Sequence, residues 1–528
     1  MADVEVFVFL LAAIAVLAAL GQRLDVPAPI ALVIGGLALG FVPGLPAPQI
    51  DPDVVLFVFL PPLLYYASFT ASAYELWDNA LPIGLLAIGL VLVTVVAVAA
   101  VGHALLHLPW SVAFVLGAVL GPTDPVSATS VLRRLGAPQR IVTILEGESL
   151  VNDGTALTAY VIALGAVGSG SVSLGSAALE FVAIAAGGIA IGLAAGFLVG
   201  RLRSMFSDPS IDVTLSVLTP FAAYTPAQAI GASGVLAAVS AGLYVGNRSL
   251  SLVNAESRLR TRTFWEALDF LLNSMLFLLI GLQLTSIVGR IDETQLGPLL
   301  AKSALVALVV VGVRLLWMGL VPTPVGAIAP FRHQDRASTE VRERLVVGWS
   351  AMRGALSLAA ALAIPLTVDN MRFPHRDLVI VVTYVVVILT LVVPGLTLPA
   401  LIERLGLGQG EALRRAEAEA RARITSAALE RLNELVAEGE TPEQVVERLR
   451  ERYEAILERV ESELDEDRDR DDADVLELAT RVQEELLRAE RETLAALERD
   501  REYPAEVLRR LQAELDLEES RLRARAAA

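Results

Sequence analysis

The sequence lacks cysteine altogether and contains a single lysine, Lys302, among its 528 residues. Without cysteine, disulfides, thiol catalysis and cysteine metal sites are excluded. Positive charge is also scarce, because 42 basic residues stand against 59 acidic ones and leave a formal net charge of −17. This negative balance argues against a nucleic-acid partner, since phosphate backbones are bound by basic surfaces.

Apolar residues are abundant instead. They make up 55% of the chain, and the mean hydropathy of +0.60 exceeds that of a soluble domain. Thirteen apolar runs have the length of about 17–27 residues that crosses a bilayer. Asp3 and Glu5 flank the first run where a signal peptide needs positive residues, so we interpret it as a retained span. The predicted spans are 4–21, 28–44, 53–70, 81–107, 111–134, 142–168, 176–201, 209–228, 231–247, 262–288, 296–322, 343–367 and 376–403.

The arginines indicate how these spans are oriented. If the N-terminus is outside, about seventeen arginines fall in inner connections and three in outer ones, the bias expected of a membrane protein. An odd number of spans then places the C-terminus in the cytoplasm. The sequence therefore predicts a multi-pass protein of the cell membrane, in contact with the lipid bilayer. The three outer arginines are Arg290, Arg372 and Arg376.

The character of the chain changes after residue 407. Residues 408–528 are rich in Glu, Arg, Ala and Leu with charges at helical spacing, which predicts a soluble, acidic, helical tail in the cytoplasm. Gly439 is typical of a helix stop, and Thr441-Pro442-Glu443-Gln444 of the next helix start. The simplest interpretation is a solvated appendage that supports dimerisation, with a regulatory role as the alternative.

The sixth predicted span carries several polar residues. A carboxylate in mid-membrane costs about 2.5–3.5 kcal/mol, which makes it a candidate functional group. On a helix, Ser149 and Asp153 share one face, whereas Glu148 and Asn152 share a neighbouring one. We expect the first face to bind a cation and the second to make structural contacts. Glu146 lies nearer the cytoplasm, either lining an entrance or, as we slightly prefer, as an ordinary interfacial carboxylate.

The fifth span contains Gly121-Pro122-Thr123-Asp124-Pro125. Its two prolines remove backbone donors and disturb the helix. Broken backbone at membrane depth is tolerated only inside protein or along a watery cavity, where its carbonyls and half-helix ends attract ions. An aspartate between these prolines, facing a second acidic span, indicates a protein that moves a cation through the membrane.

Two arginines are embedded in later spans. Arg353 in the twelfth span needs a buried anionic partner, and Glu148 is the one we expect. Arg314 in the eleventh span has Asp269 or Glu266 as expected partners. We expect both arginines to stabilise the fold rather than to take part in transport.

Taken together, these motifs resemble the cation:proton antiporter-1 family of Na+/H+ antiporters over residues 1–405, which leaves the tail less well covered. The resemblance implies an all-α membrane fold of about thirteen helices, built from two inverted six-helix repeats. Spans five and twelve would be the unwound pair that crosses near the midplane, and the protein would form a homodimer. The matching segments are 59–64, 121–125, 146–153, 233–237, 264–266, 277–281 and 353–358.

The resemblance also implies the roles of individual residues. Glu148 and Arg353 would form the family's structural ion pair, and no cofactor is implied beyond the transported Na+ and H+. Asn152 stands where electrogenic relatives have a second aspartate, which implies electroneutral exchange. Tyr66 stands where many relatives have glutamate, so their ion preference does not carry over directly. The implied cation- and proton-binding residues are Asp153, Asp124, Thr123 and Ser149, with Asn152 beside them.

The sequence thus predicts a transmembrane domain, 1–407, that exchanges Na+ or Li+ for protons by competition at Asp153 and serves pH homeostasis. A K+/H+ antiporter of the same fold remains open, because hard oxygen ligands do not settle ion size. A cation channel gated by the tail is a weaker alternative, since we see no ring of filter groups. An intramembrane enzyme is weaker still, because the serines lack a His or Lys partner within the membrane.

Overall fold

The computed structural model describes residues 2–24, 26–42, 55–169, 174–206, 208–288, 293–320, 336–350, 352–368, 371–407, 410–437 and 443–464, with a few single residues beyond. The chain divides into two compact units, Met1–Gly408 and Gln409–Ala528. Helices dominate both units, and the described strands are the short antiparallel pair β1 (Thr367–Val368) and β2 (Met371–Arg372).

Every predicted span has a helical counterpart in the first unit. A π-helical stretch, Val55–Phe59, leads into α3, and another, Leu85–Leu90, lies within α5. The helices are α1 (Ala2–Arg23), α2 (Ala28–Gly40), α3 (Leu60–Thr70), α4 (Ala73–Asp78), α5 (Ala80–Leu106), α6 (Trp110–Leu120), α7 (Val126–Arg134), α8 (Gln139–Ser169), α9 (Leu174–Arg203), α10 (Pro209–Ala229), α11 (Gly234–Leu252), α12 (Ala255–Val288), α13 (Glu293–Leu320), α14 (Arg336–Trp349), α15 (Ala355–Leu362) and α16 (Arg376–Leu405).

Seven of the described helices, α1, α5, α8, α9, α12, α13 and α16, are long and apolar enough to cross a membrane by length and composition. The six remaining predicted spans correspond to shorter or more polar helices, or to helices that are interrupted. Such helices lie among others in the bundle, where neighbouring protein satisfies the backbone that lipid cannot. The helical membrane fold predicted from the sequence is confirmed.

Spans five and twelve are the interrupted ones, and they cross each other. α6 ends at Leu120 before α7 begins at Val126, and α14 ends at Trp349 before α15 begins at Ala355. The backbone N–H of Asp124 donates to the carbonyl of Met352 at 2.8 Å. Arg353 Nε donates to the carbonyl of Leu120 at 3.2 Å. Backbone groups released by each break are therefore satisfied across the crossing.

Helix pairing follows the two inverted repeats, spans one to six and spans eight to thirteen. Corresponding helices are seven spans apart, an odd number, so they cross the membrane in opposite directions. The contact of α2 with α12 repeats as the contact of α11 with α3. Glycine allows both close approaches, because a methyl group on Gly36 would overlap the Leu278 carbonyl and one on Gly246 the Phe69 carbonyl.

The second unit contains α17 (Gly410–Ala437) and α18 (Glu443–Leu464), which pack against each other. Leu432 and Val446 are buried, and Arg450 Nη2 donates to Asn433 Oδ1 at 3.1 Å. The predicted helix stop at Gly439 and the cap at Thr441 lie outside the described residues. The described residues 410–437 and 443–464 are helical, as the spacing of their charges predicts.

Candidate cation-binding site

Two carboxylates meet beside the crossing. Asp153 lies in the middle of α8 with 8% of its surface exposed, and Asp124 is half-buried in the interruption between α6 and α7. They are close enough for their charges to interact. Asp124 Oδ1 accepts the N–H of Val126 at 3.0 Å, and Gly354 leaves the space that the Asp124 carboxylate occupies. The proline-bounded break thus brings Asp124 to the acidic face of α8.

Thr123 and Asn152 form a buried polar pair next to these acids. Asn152 Nδ2 donates to Thr123 Oγ1 at 2.8 Å and to its carbonyl at 3.2 Å. Thr123 Oγ1 in turn donates to Glu148 Oε1 at 2.8 Å. The two neighbouring faces of α8 therefore differ as the sequence predicts, because Glu148 and Asn152 bind protein groups.

Glu148 is neutralised by Arg314, not by Arg353. Arg314 Nη2 donates to Glu148 Oε2 at 2.7 Å, Nη1 contacts Oε1, and both side chains are 1% exposed. Arg314 is also held by the Val347 carbonyl, which accepts from its Nε at 3.2 Å and its Nη2 at 3.1 Å. A bidentate, fully hydrogen-bonded contact is the geometry that compensates a buried charge. The expected ion pair of Glu148 with Arg353 is corrected accordingly.

The physical reason is the position of Arg353 inside the interruption of its span. There its guanidinium meets the end of α6, whose last carbonyls have lost their helical partners, and it donates to Leu120. Arg353 still lies within the electrostatic influence of Glu148 and Arg314. The expected partners of Arg314 are engaged elsewhere.

Glu266 and Asp269, the expected partners of Arg314, line a cavity. Glu266 pairs with Arg262 at 2.9 Å, and Asp269 Oδ1 accepts from Asn273 Nδ2 at 3.0 Å. Neither approaches Arg314, because both lie on the part of α12 that lines this cavity rather than beside α13.

The cavity has a volume of about 880 Å³ and extends toward Asp124 and Asp153. Ser149 and Pro125 lie on its wall, and Asp153 lies one helical turn beyond Ser149 on the same face of α8. Glu146 also lines it and pairs with Arg133 at 2.6 Å. The entrance interpretation that we considered for Glu146 is therefore the better one. Other polar residues of the lining are Tyr66, Thr70, Thr129, Ser130, Arg203, Ser249, Arg258, Arg262, Glu266 and Asp269.

Tyr66 packs in this cavity instead of supplying a carboxylate. Its ring is stacked on Trp265, with the ring centroids 6.0 Å apart and the planes 7° from parallel. The Trp265 Nε1 donates to Ser216 Oγ at 2.9 Å. The replacement of the glutamate expected from the resemblance therefore gives this wall an aromatic surface.

The sequence analysis missed one buried ion pair. Arg203 donates from Nε and Nη2 to Asp212 at 2.7 and 2.8 Å, and Thr261 Oγ1 donates to the same carboxylate at 2.9 Å. Arg203 was counted among the arginines of an inner connection, although it is 1% exposed. An aspartate in the first turn of a predicted span, nine residues after an arginine, was the available indication.

This arrangement defines the class of protein. Buried acids beside crossed, broken helices, reached through a cavity, make a membrane transporter that exchanges ions, not an enzyme. In the described part of the chain, no three His, Asp or Glu side chains come together as a metal centre requires. The comparisons with known proteins identify the family.

The model of the family "sodium/hydrogen exchanger, transmembrane" matches residues 9–404, and the chain belongs to the Na+/H+ exchanger family. It is 36% identical over 524 residues to an uncharacterized Na+/H+ exchanger of Mycobacterium tuberculosis, covering 98% of this chain and 96% of the relative. It is 33% identical over 411 residues to the Na+/H+ antiporter ApNhaP of Aphanothece halophytica, covering 77% and 75%. The family resemblance noted in the sequence is confirmed.

A solved structure supports the fold. The sodium proton antiporter MjNhaP1 from Methanocaldococcus jannaschii superimposes with a TM-score of 0.60, covering 77% of this chain and 99% of its own. Identity over this match is 20%, so the likeness concerns the fold alone.

Proposed function

We propose that this protein is a secondary antiporter that exchanges Na+ for H+ across the cytoplasmic membrane, with cation and proton competing at Asp153. One observation carries the proposal. In the described part of the chain, the buried acids Glu148 and Asp212 each hold a bidentate arginine, whereas neither Asp153 nor Asp124 forms an ion pair. A buried carboxylate without a counter-ion must take up a proton or a cation. Of these two acids, Asp153 is the more deeply buried, and we assign the exchange to it.

The proposed Na+ ligands are the oxygens around this carboxylate. Asp153, Asp124, Ser149 and Thr123 supply hard donors, which suit alkali and alkaline-earth cations. Asn152 holds Thr123 through two hydrogen bonds and so positions it. Li+ is a further substrate of the same chemistry.

We also propose that the exchange is electroneutral. Asn152 carries no charge and Glu148 is bound to Arg314, which leaves Asp153 as the carboxylate of α8 that can change partner in this proposal. One Na+ then replaces one H+. Either loaded form is neutral and passes an apolar barrier, whereas the bare carboxylate does not, which prevents leak.

The cavity gives the site access from the cytoplasm in this proposal. Arg133, Arg258 and Arg262 line it, and all three lie in connections that the arginine distribution assigns to the inner side. The N-terminus is then outside and the acidic tail in the cytoplasm. We further propose a homodimer in which the crossed helices move relative to a dimer scaffold to alternate access.

The first test is transport by the purified full-length protein in liposomes. Internal pH is recorded after a pulse of Na+, Li+ or K+, with and without a clamped membrane potential. Proton movement that depends on the Na+ pulse and is the same with and without the clamped potential supports the proposal. Asp153→Asn should abolish this movement in a protein that still folds. Movement with K+ alone would change the substrate, and cation flux without proton movement would indicate a channel.

A further inference from the structure

The cavity wall contains an acid that the proposed site does not use. Asp269 is half-buried on α12, opposite Ser149 and Pro125 of the crossed-helix region. Its Oδ1 accepts from Asn273 Nδ2 at 3.0 Å, one turn further along the helix. This hydrogen bond fixes the orientation of the carboxylate without neutralising it.

The other acids of the same cavity are neutralised. Glu146 pairs with Arg133 at 2.6 Å, and Glu266 with Arg262 at 2.9 Å. Within the described residues, no arginine forms such a pair with Asp269. The wall therefore presents one carboxylate without an arginine partner to the space through which a cation travels, and a carboxylate in a cleft attracts cations locally. Arg258, which lines the same cavity, donates to the backbone carbonyl of Val253.

This charge is connected to the binding site. Asp269 is close enough to Asp124 for the two charges to interact, and Asp124 interacts in the same way with Asp153. The three carboxylates thus form a series that begins in the cavity and ends in the middle of α8. Tyr66, which lies on the same wall, adds no carboxylate to this series.

We propose that Asp269 is a transient binding residue for the incoming monovalent cation, which it holds while partly hydrated and passes to Asp124 and Asp153. This inference rests on the proposed function. Asp269 lies on α12, whereas Asp124 lies in the break of a crossed helix and Asp153 lies on α8, which packs against that helix. Because Asp269 lines the cavity, in this proposal it acts on cations that arrive from the cavity side.

The test is a sided measurement of Na+ affinity with Asp269→Asn in oriented proteoliposomes. The KM for Na+ applied on the cavity side should rise about five- to tenfold, the size expected for losing one carboxylate at a partly solvated site. The KM for Na+ on the opposite side and the maximal rate should stay as in the wild type. Asp269→Glu, which keeps the charge, should restore most of the affinity.

Glu266→Gln is the matched control. It lies on the same helix, lines the same cavity and also removes one carboxylate, but from an exposed ion pair whose charges are screened by solvent. We expect less than a twofold change in KM on either side. If Asp269→Asn does not fold, Asp269→Ser removes the same charge with a smaller side chain.

The following outcomes overturn the inference. An unchanged KM on both sides would mean that Asp269 does not meet the cation, and an equal rise on both sides would indicate a general effect on the site. A wild-type protein without Na+/H+ exchange would overturn the proposed function and this inference with it. A working wild type that Asp153→Asn silences and Asp269→Asn leaves unchanged would overturn the inference alone.

Discussion

Glu148 and Arg314 form a bidentate ion pair in which both side chains are almost completely buried. The pair joins α8, which carries Asp153, to α13, and Thr123 adds a third contact to the same carboxylate. It therefore fixes the helix of the proposed site against the second repeat. In the proposed mechanism Asp153 exchanges partners while Glu148 keeps Arg314.

Arg314→Met should destabilise the protein strongly. The substitution leaves Glu148 buried without a counter-ion, which costs about 3–5 kcal/mol of unfolding free energy. Thermal unfolding of the detergent-solubilised protein measures the loss. The double variant Glu148→Gln with Arg314→Met should recover part of it, since no charge then remains uncompensated. A larger loss for Arg353→Ala than for Arg314→Met would contradict the pairing.

Thr123→Val should impair both stability and cation affinity. It removes the hydroxyl that donates to Glu148 and accepts from Asn152, leaving buried polar atoms unsatisfied at about 1–3 kcal/mol. Thr123→Ser keeps the hydroxyl and is the control. The KM for Na+ and the melting temperature are measured for both. Equal behaviour of the two variants would show that the hydroxyl has no such role.

Gly354→Ala should block the site. A methyl group at this position would overlap the Asp124 carboxylate, so either the crossing or the acid must move, and overpacking of this kind costs about 1–3 kcal/mol. Gly312→Ala is the matched control, because nothing lies within 4 Å of its added methyl group. Na+-driven proton movement should be lost in the first variant and kept in the second. Normal exchange by Gly354→Ala would rule out the described crossing.

Asp212→Ala should lower stability strongly. It leaves Arg203 buried and unpaired, again a loss of about 3–5 kcal/mol of unfolding free energy. Asp208→Ala removes an exposed helix cap at the start of α10 and should cost only about 0.5–2 kcal/mol. Equal melting temperatures for the two variants would contradict the role of the buried pair.

The two breaks show what the sequence could predict. Pro122 and Pro125 predict the interruption of span five, because the effect of proline on a helix is local. The span limits are local as well, since apolar length decides them. These features required no knowledge of how the helices pack.

The partner of Arg353 could not be predicted in the same way. Two buried arginines, Arg314 and Arg353, lie near Glu148. Which of the two guanidinium groups binds Glu148 depends on how α13 packs beside α14, and the sequence does not give this packing. The surroundings of Asp269 and Arg203 were misjudged for a related reason. Asp269 was expected to pair with Arg314, and Arg203 was placed in a connection, because sequence alone does not separate a solvated charge from one that faces a cavity or a partner.

The preference for arginine over lysine has a consequence for substitution. A guanidinium presents its donors in a planar fork that fits both oxygens of a carboxylate, whereas an ammonium is a compact point charge. Arg314 and Arg203 each use two nitrogens on one carboxylate, that of Glu148 and that of Asp212. Lysine at either position would keep the sign of the charge and lose the two-point contact, so an exchange that conserves charge does not conserve the geometry that ties these helices together.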